Sequence, residues 1–221
     1  MSISNRFIEF AMHSGALWIS KDATRKLKSG RMSPYFFNSG DFSSGQALSE
    51  IGHAFAVALH RPQHRFDVLF GPAYKGIALA AVTAAALYEL DGVNVECSSN
   101  RKETKDHGEG GDLIGASLQG KRVFIIDDVT TRGDAKREAV GFISNHGGIP
   151  VGIAIAFDRQ ERGVDTELSA VQQLENEFHI PVRAIATAQD LINYLSASGK
   201  YPQELAAIER YLGEYGVGNE L

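Results

Sequence analysis

Lys121 to Val140 reads KRVFIIDDVTTRGDAKREAV. The apolar run Val123–Ile126 has strand length, and two adjacent carboxylates, Asp127 and Asp128, stand where it ends. Thr130, Thr131 and Gly133 then make a turn before a helical pattern begins. A strand that delivers polar groups at its carboxyl end and feeds a helix is half of a parallel β-α-β unit. Outward from this stretch, FDVLF at 66–70, VNVEC at 93–97, PVGIAIAF at 150–157 and PVRAIA at 181–186 are further runs of strand length. Helical periodicity lies between most of them, near 76–90, 134–146 and 167–178. The strands do not alternate apolar with polar, as expected when helices cover both faces of a sheet. The series predicts an α/β fold: a doubly wound, mainly parallel five-stranded sheet flanked by helices, with ligands at the carboxyl ends of the strands.

Before residue 65 the pattern changes. Residues 3–12 and 44–60 read as amphipathic helices, the second with Ser43 or Ser44 as its N-cap. Between them LKSGRMSPYFFNSG, Leu27–Gly40, is turn-rich, basic and aromatic. The expected organisation is one domain: helices and a hood over residues 1–65, a core over 66–199, and a helix with a tail over 200–221.

The 221 residues are 43% hydrophobic and 22% charged, enough apolar material for a full core. A net charge of −5 argues against a nucleic-acid partner, which calls for a basic face. The single Cys97 rules out an internal disulfide and a thiolate zinc cage, and suits a reducing compartment. Arg6, Glu9 and His13 interrupt the first apolar residues, so no signal-peptide core is visible, and the Ala-rich run 77–88 is too short to span a bilayer. The expectation is a cytoplasmic protein with no membrane partner.

Two adjacent acids at a strand end have two readings: a helix N-cap beside a solvated turn, or a grip on a ligand. Gly133 and the following helix start add an anion nest of backbone N–H groups. Carboxylates beside such a nest suit the hydroxyls of a phosphorylated sugar. Apolar residues, two acids and a T-x-G turn resemble the phosphoribosyl pyrophosphate (PRPP) motif of the type I phosphoribosyltransferases. LKSGRMSPYFFNSG, GPAYKGIALA (71–80), NRKETKDHGEGG (100–111) and FDRQERG (157–163), in this order, resemble the orotate phosphoribosyltransferase family over residues 6 to 195 or so.

That resemblance implies an enzyme of pyrimidine biosynthesis, which moves phosphoribosyl from PRPP to orotate to give orotidine 5′-monophosphate and pyrophosphate. It implies Mg²⁺ as cofactor, carried on PRPP with no direct protein ligand. Lys105, Asp127 and Asp128 are the implied catalytic residues. PRPP falls to Lys28, Tyr74, Lys75, Arg101, Lys102, Lys105 and His107, and to the segment Asp127, Asp128, Val129, Thr130, Thr131, Arg132, Gly133, Asp134 and Ala135. Orotate falls to Phe36, Phe37, Thr131 and Arg159. A homodimer is implied too, with residues 101–112 forming a mobile lid that reaches the neighbouring active site. Plainer readings stand beside these: Lys75 as a solvated turn residue, one of Phe36 and Phe37 as core, and Arg159 as a structural salt bridge to Glu161 or Asp158.

The cradle departs from the family's D-D-V-I-T-A-G-T-A at Thr130, Arg132 and Asp134. Arg132 is tolerable because the backbone amide does the gripping. Asp134 puts an anion where the 5′-phosphate should sit. Two unit charges about 5 Å apart at an effective dielectric of about 20 repel by roughly 3 kcal/mol. Asp134 escapes this by turning outward to cap the helix, or by pairing with Arg132 or Lys136. Uncompensated, it favours a weakened or regulatory PRPP-binding protein of the same fold; a transferase for another base is the third reading.

Overall fold

Val123–Ile126 is the buried centre of a six-stranded sheet. The structure, a computed structural model, describes residues 2–59, 66–105, 111–130 and 132–218. The first part of the chain forms α1 (Ile3–His13), β1 (Leu17–Ile19), β2 (Arg25–Lys26), β3 (Met32–Ser33), β4 (Tyr35–Phe37) and α2 (Gly45–Leu59). The sheet and its helices follow: β5 (Val68–Phe70), α3 (Lys75–Asp91), β6 (Glu96–Lys105), β7 (Gly111–Gly115), β8 (Arg122–Val129), α4 (Asp134–Asn145), β9 (Ile149–Asp158), α5 (Ala170–Phe178) and β10 (Val182–Thr187). Two helices close the chain, α6 (Ala188–Ser198) and α7 (Pro202–Tyr215).

The strand order is β10-β9-β8-β5-β6-β7, with every neighbouring pair parallel except β6 and β7. From β5 the chain builds outward through β6, then returns to place β8 on the other side of β5. The order therefore reverses between β5 and β8, and a crevice opens above their carboxyl ends. The sixth strand, β7, begins within the stretch read from sequence as a loop, at Gly111 and Asp112, and runs on to Gly115. Residues 101–105 are likewise the distal half of β6, paired antiparallel with β7 as far as Lys105 and Gly111. The glycines and mixed charges of this stretch hid two strands of an edge hairpin, which has no apolar run to announce it.

Alternation along β8 sorts the core into two layers. Phe124 and Ile126 pack with Phe7 of α1, Phe55 of α2 and Leu79 of α3, while Val123 and Ile125 pack with Ile143 of α4 and Leu174 of α5. Each such fully buried side chain contributes about 1.5–3 kcal/mol. Ser44 caps α2, its hydroxyl accepting from Ala47 N at 3.1 Å. Ser169 and Gln172 form a capping box that starts α5 at Ala170. Thr187 and Asp190 do the same for α6, a helix the periodicity reading did not pick out.

Candidate active site

The same alternation decides where the two acids go. Asp127 continues the series of Val123 and Ile125, and Asp128 the series of Phe124 and Ile126. Neighbours in sequence are thereby split between opposite faces, and each meets a lysine from the helix on its face. Asp127 Oδ2 accepts from Lys136 Nζ of α4 at 2.5 Å, and Asp128 Oδ2 from Lys75 Nζ of α3 at 2.8 Å. Backbone N–H groups complete both: Asp128 N donates to Asp127 Oδ1 at 2.9 Å, and Val129 N to Asp128 Oδ1 at 2.8 Å. Ser39 Oγ adds a bond to Asp128 Oδ2 at 3.1 Å. The acids are 8% and 7% exposed. Burial pushes the Asp128 carboxyl up, but the hydrogen bond and charge of Lys75, the Val129 N–H and the charge of Lys136 outweigh it and hold the group below the usual carboxylate range.

Lys75 opens α3 directly after the turn Gly71–Tyr74, and its ammonium also donates to Asn38 Oδ1 at 2.8 Å. This turn is tight. A Cβ on Gly71 would lie 2.0 Å from Gly76 O, and one on Gly76 would lie 2.6 Å from Pro72 Cδ and 2.9 Å from Ile126 O. Tyr74 stands 70% exposed, with Lys102 Nζ 5.1 Å above its ring. Arg101 and Lys102 lie on β6. Lys105 ends that strand; its side chain, His107 and Thr131 lie outside the described positions.

Beyond β8 the turn meets α4 at Gly133, whose φ of +84° only glycine adopts without strain. Gly133 is the N-cap and offers no side-chain bond, so Asp134 is the first helical residue and not the cap. Neither Arg132 nor Lys136 pairs with it: Lys136 is committed to Asp127, and Arg137 Nη1 lies 3.8 Å from Asp134 Oδ1. The Asp134 side chain is 71% exposed. It is a solvated helix-start residue with Arg137 one turn on, at the edge of the two cavities that Arg159 borders. The buried Thr130 Oγ1 has no partner among the described residues.

The hood supplies the facing wall. Phe37 is core, stacked on Phe157 with ring centroids 5.8 Å apart, whereas Phe36 is half-buried with the Arg25 guanidinium 5.1 Å above it. Arg159 is buried and bonded to Glu161 through Nε at 2.9 Å and Nη2 at 2.5 Å. Nη2 also donates to Ser33 Oγ at 3.0 Å, and the guanidinium stacks 4.4 Å from the Tyr35 ring. The salt bridge to Glu161 is therefore present. Arg159 still borders a cavity of about 630 Å³ lined by Lys26, Lys28, Phe36, Phe37, Lys75 and residues 127–130 and 132–136. A second, of about 740 Å³, shares Lys28, Thr130, Arg132, Asp134 and Arg159 with it. Carboxylates, lysines, an orphaned hydroxyl and an aromatic edge thus line two adjoining cavities at the strand ends. Among the described residues no three His, Cys, Asp or Glu side chains converge as a metal cage.

The phosphoribosyl transferase domain family matches residues 42–187, well over half of the chain. An orotate phosphoribosyltransferase of Acinetobacter baylyi is 51% identical over 96% of this chain and 95% of its own length. The chain belongs to the orotate phosphoribosyltransferases. Another member, from Thioalkalivibrio sulfidiphilus, is 48% identical over 96% of this chain and 98% of its own. The crystal structure of the Francisella tularensis orotate phosphoribosyltransferase superposes with a TM-score of 0.85 at 32% identity, covering 96% of this chain and 99% of that one. In this orotate phosphoribosyltransferase, the crevice lies between the carboxyl ends of β5 and β8. Three residues that complete it were missed from sequence: Asn38, Ser39 and Lys136. Asn38 and Ser39 adjoin the aromatic pair of the hood. Lys136 was weighed only as a partner for Asp134, although the face of Asp127 points to it.

Proposed function

We propose that this chain transfers phosphoribosyl from PRPP to orotate in the cleft above β5 and β8, releasing pyrophosphate and forming orotidine 5′-monophosphate for pyrimidine synthesis. The observation that carries the assignment of residues is the split carboxylate pair, each acid paired with its own lysine beneath the cleft. In this reading Asp127 and Asp128 accept from the ribose 2′- and 3′-hydroxyls, and their field favours the positive charge that develops on the sugar as the C1–O bond breaks. The amides of residues 129–135 and the Thr130 hydroxyl receive the 5′-phosphate. Lys75, Tyr74 and Lys102 face the pyrophosphate, with Arg101 and Lys105 on the same strand as Lys102; His107 is assigned to the same group. Orotate lies against Phe36, with Phe37 and Thr131 beside it, and Lys28 stands at the mouth of the sugar site. Arg159, whose Nη1 makes only a long bond to Tyr35 O at 3.4 Å, takes the orotate carboxylate, and Glu161 fixes the plane of that guanidinium.

Mg²⁺ is part of the proposal. The donor set fits an ion that arrives on substrate oxygens, since both carboxylates already hold lysines and hard phosphate oxygens are the better ligands. When bound, it neutralises the leaving pyrophosphate. The homodimer also belongs here. Ile77, Ala81, Ala85 and Tyr88 form an exposed apolar stripe along α3, beside the arm that carries Lys105, which supports a second copy at this face. No described helix is long and apolar enough to cross a membrane, and a cytoplasmic site of action is the reading that goes with these substrates. The test is direct: with Mg²⁺ and PRPP, the protein should consume orotate, followed as loss of its ultraviolet absorbance. Unchanged absorbance at saturating PRPP refutes the proposal.

A further inference from the structure

We propose that Lys136 is a positioning residue of the ribose subsite, which acts by holding and neutralising Asp127. The inference rests on the reading above, in which Asp127 meets a ribose hydroxyl. Lys136 is 3% exposed, and lysine is almost never so buried without a partner that requires it. Nor does the helix favour it. Lys136 lies in the first turn of α4, where the dipole presents positive charge and a cation is poorly placed. Its compensation comes from the strand end: Nζ donates to Asp127 Oδ2 and to Val129 O, both at 2.5 Å.

Both of these acceptors belong to the segment that must hold the sugar. One ammonium therefore fixes the carboxylate against the backbone that leads into the phosphate turn. With Asp128 N on the other oxygen, the Asp127 carboxylate cannot rotate without breaking two bonds. Each oxygen keeps lone-pair capacity for a hydroxyl on the cavity side, which Lys136 also borders. The charge matters as much as the geometry. PRPP is a polyanion, and an unpaired carboxylate beneath it would repel the substrate it should hold. Asp134, the nearer acid along the chain, is served by Arg137 and makes no claim on Lys136.

A merely structural ion pair would stabilise the protein without this coupling, and a double-variant cycle separates the two. PRPP with Mg²⁺ is titrated calorimetrically into the full chain carrying Lys136→Gln, Asp127→Asn, both, or neither. Gln keeps a donor for the Val129 carbonyl and removes the charge. Each single change should weaken PRPP binding about tenfold or more, and the double variant should bind like Asp127→Asn alone. Losses that multiply in the double variant overturn the proposal, as does wild-type affinity in Lys136→Gln. If Asp127→Asn itself binds PRPP normally, the assignment of Asp127 fails and takes the proposal with it. Should Lys136→Gln not fold, Asp127→Asn is compared with the double variant, which has no uncompensated buried carboxylate. Equal affinity is expected; a further loss overturns the inference.

Discussion

A buried carboxylate stays ionised only with cations and N–H donors around it, and Asp128 has both. The group is depressed on folding, so its contribution to stability is fully present above the unfolded value of about 3.9 and is lost as the pH falls through the lower folded value. Lys75→Ala removes the nearest opposing charge and lets burial prevail. The acid limb of kcat/KM for PRPP should then move up by about one pH unit or more, read from a pH–rate profile, with the KM for orotate little changed. At Asp134 the structure lowers the stakes set by the unscreened repulsion. An exposed side chain with Arg137 beside it is largely screened, so Asp134→Thr should change the KM for PRPP by no more than about fivefold. A gain of a hundredfold in steady-state assays would mean that the carboxylate faces the phosphate after all. At this scale the sequence was readable where motif and physics coincide, as at Asp127, Asp128 and Lys75. It was unreadable where a contact depends on which face a side chain takes. Lys136 meets Asp127 because of strand parity, whereas the pairing of Arg159 with Glu161, two residues on, was one of the readings the sequence offered.

Elements explain why these side chains arrive together. The turn between β5 and α3 brings Lys75 to Asp128 only because Gly71 and Gly76 let two backbones and Ile126 O approach within the space of a methyl group. Gly76→Ala should therefore destabilise the fold by about 1–3 kcal/mol, seen as a lower melting temperature, and displace Lys75 enough to weaken PRPP binding. An unchanged melting curve would show that the turn can relax. Long apolar strands and their covering helices were legible, because burial on both faces writes a continuous hydrophobic run. The hairpin of β6 and β7 was not. Apart from Cys97, Leu113 and Ile114 its residues are polar or glycine, and its antiparallel pairing from Ser98 on comes from hydrogen bonds that leave no run of apolar residues. The C-terminal helix was visible from its own periodicity, but its closing contact was not: Arg162 N donates to Tyr215 O at 2.8 Å and Val217 N to Gln160 O at 2.9 Å, bracing the segment that carries Arg159.

For the whole molecule the question is whether one chain suffices. The arm with Lys105 lies at the sheet edge beyond β5, next to the apolar stripe of α3 that none of the described residues covers. If the arm serves a second subunit, mixing Lys105→Ala chains with Asp128→Ala chains should restore part of the activity that each lacks alone, about a quarter of wild type when dimers form at random from equal parts. Verified mixed dimers without activity would confine each arm to its own cleft. None of this assembly was legible from composition, since an Ala-rich helix reads the same whether a core or a partner covers it.

Asp127 and Asp128, split to opposite faces of β8, should close on one sugar. A crystal structure with PRPP and Mg²⁺ tests it most directly. Both carboxylates should then lie within hydrogen-bond distance of the ribose 2′- and 3′-hydroxyls, with Lys136 still on Asp127. A ribose bound elsewhere in the cleft, with both acids keeping only their present protein partners, would contradict it.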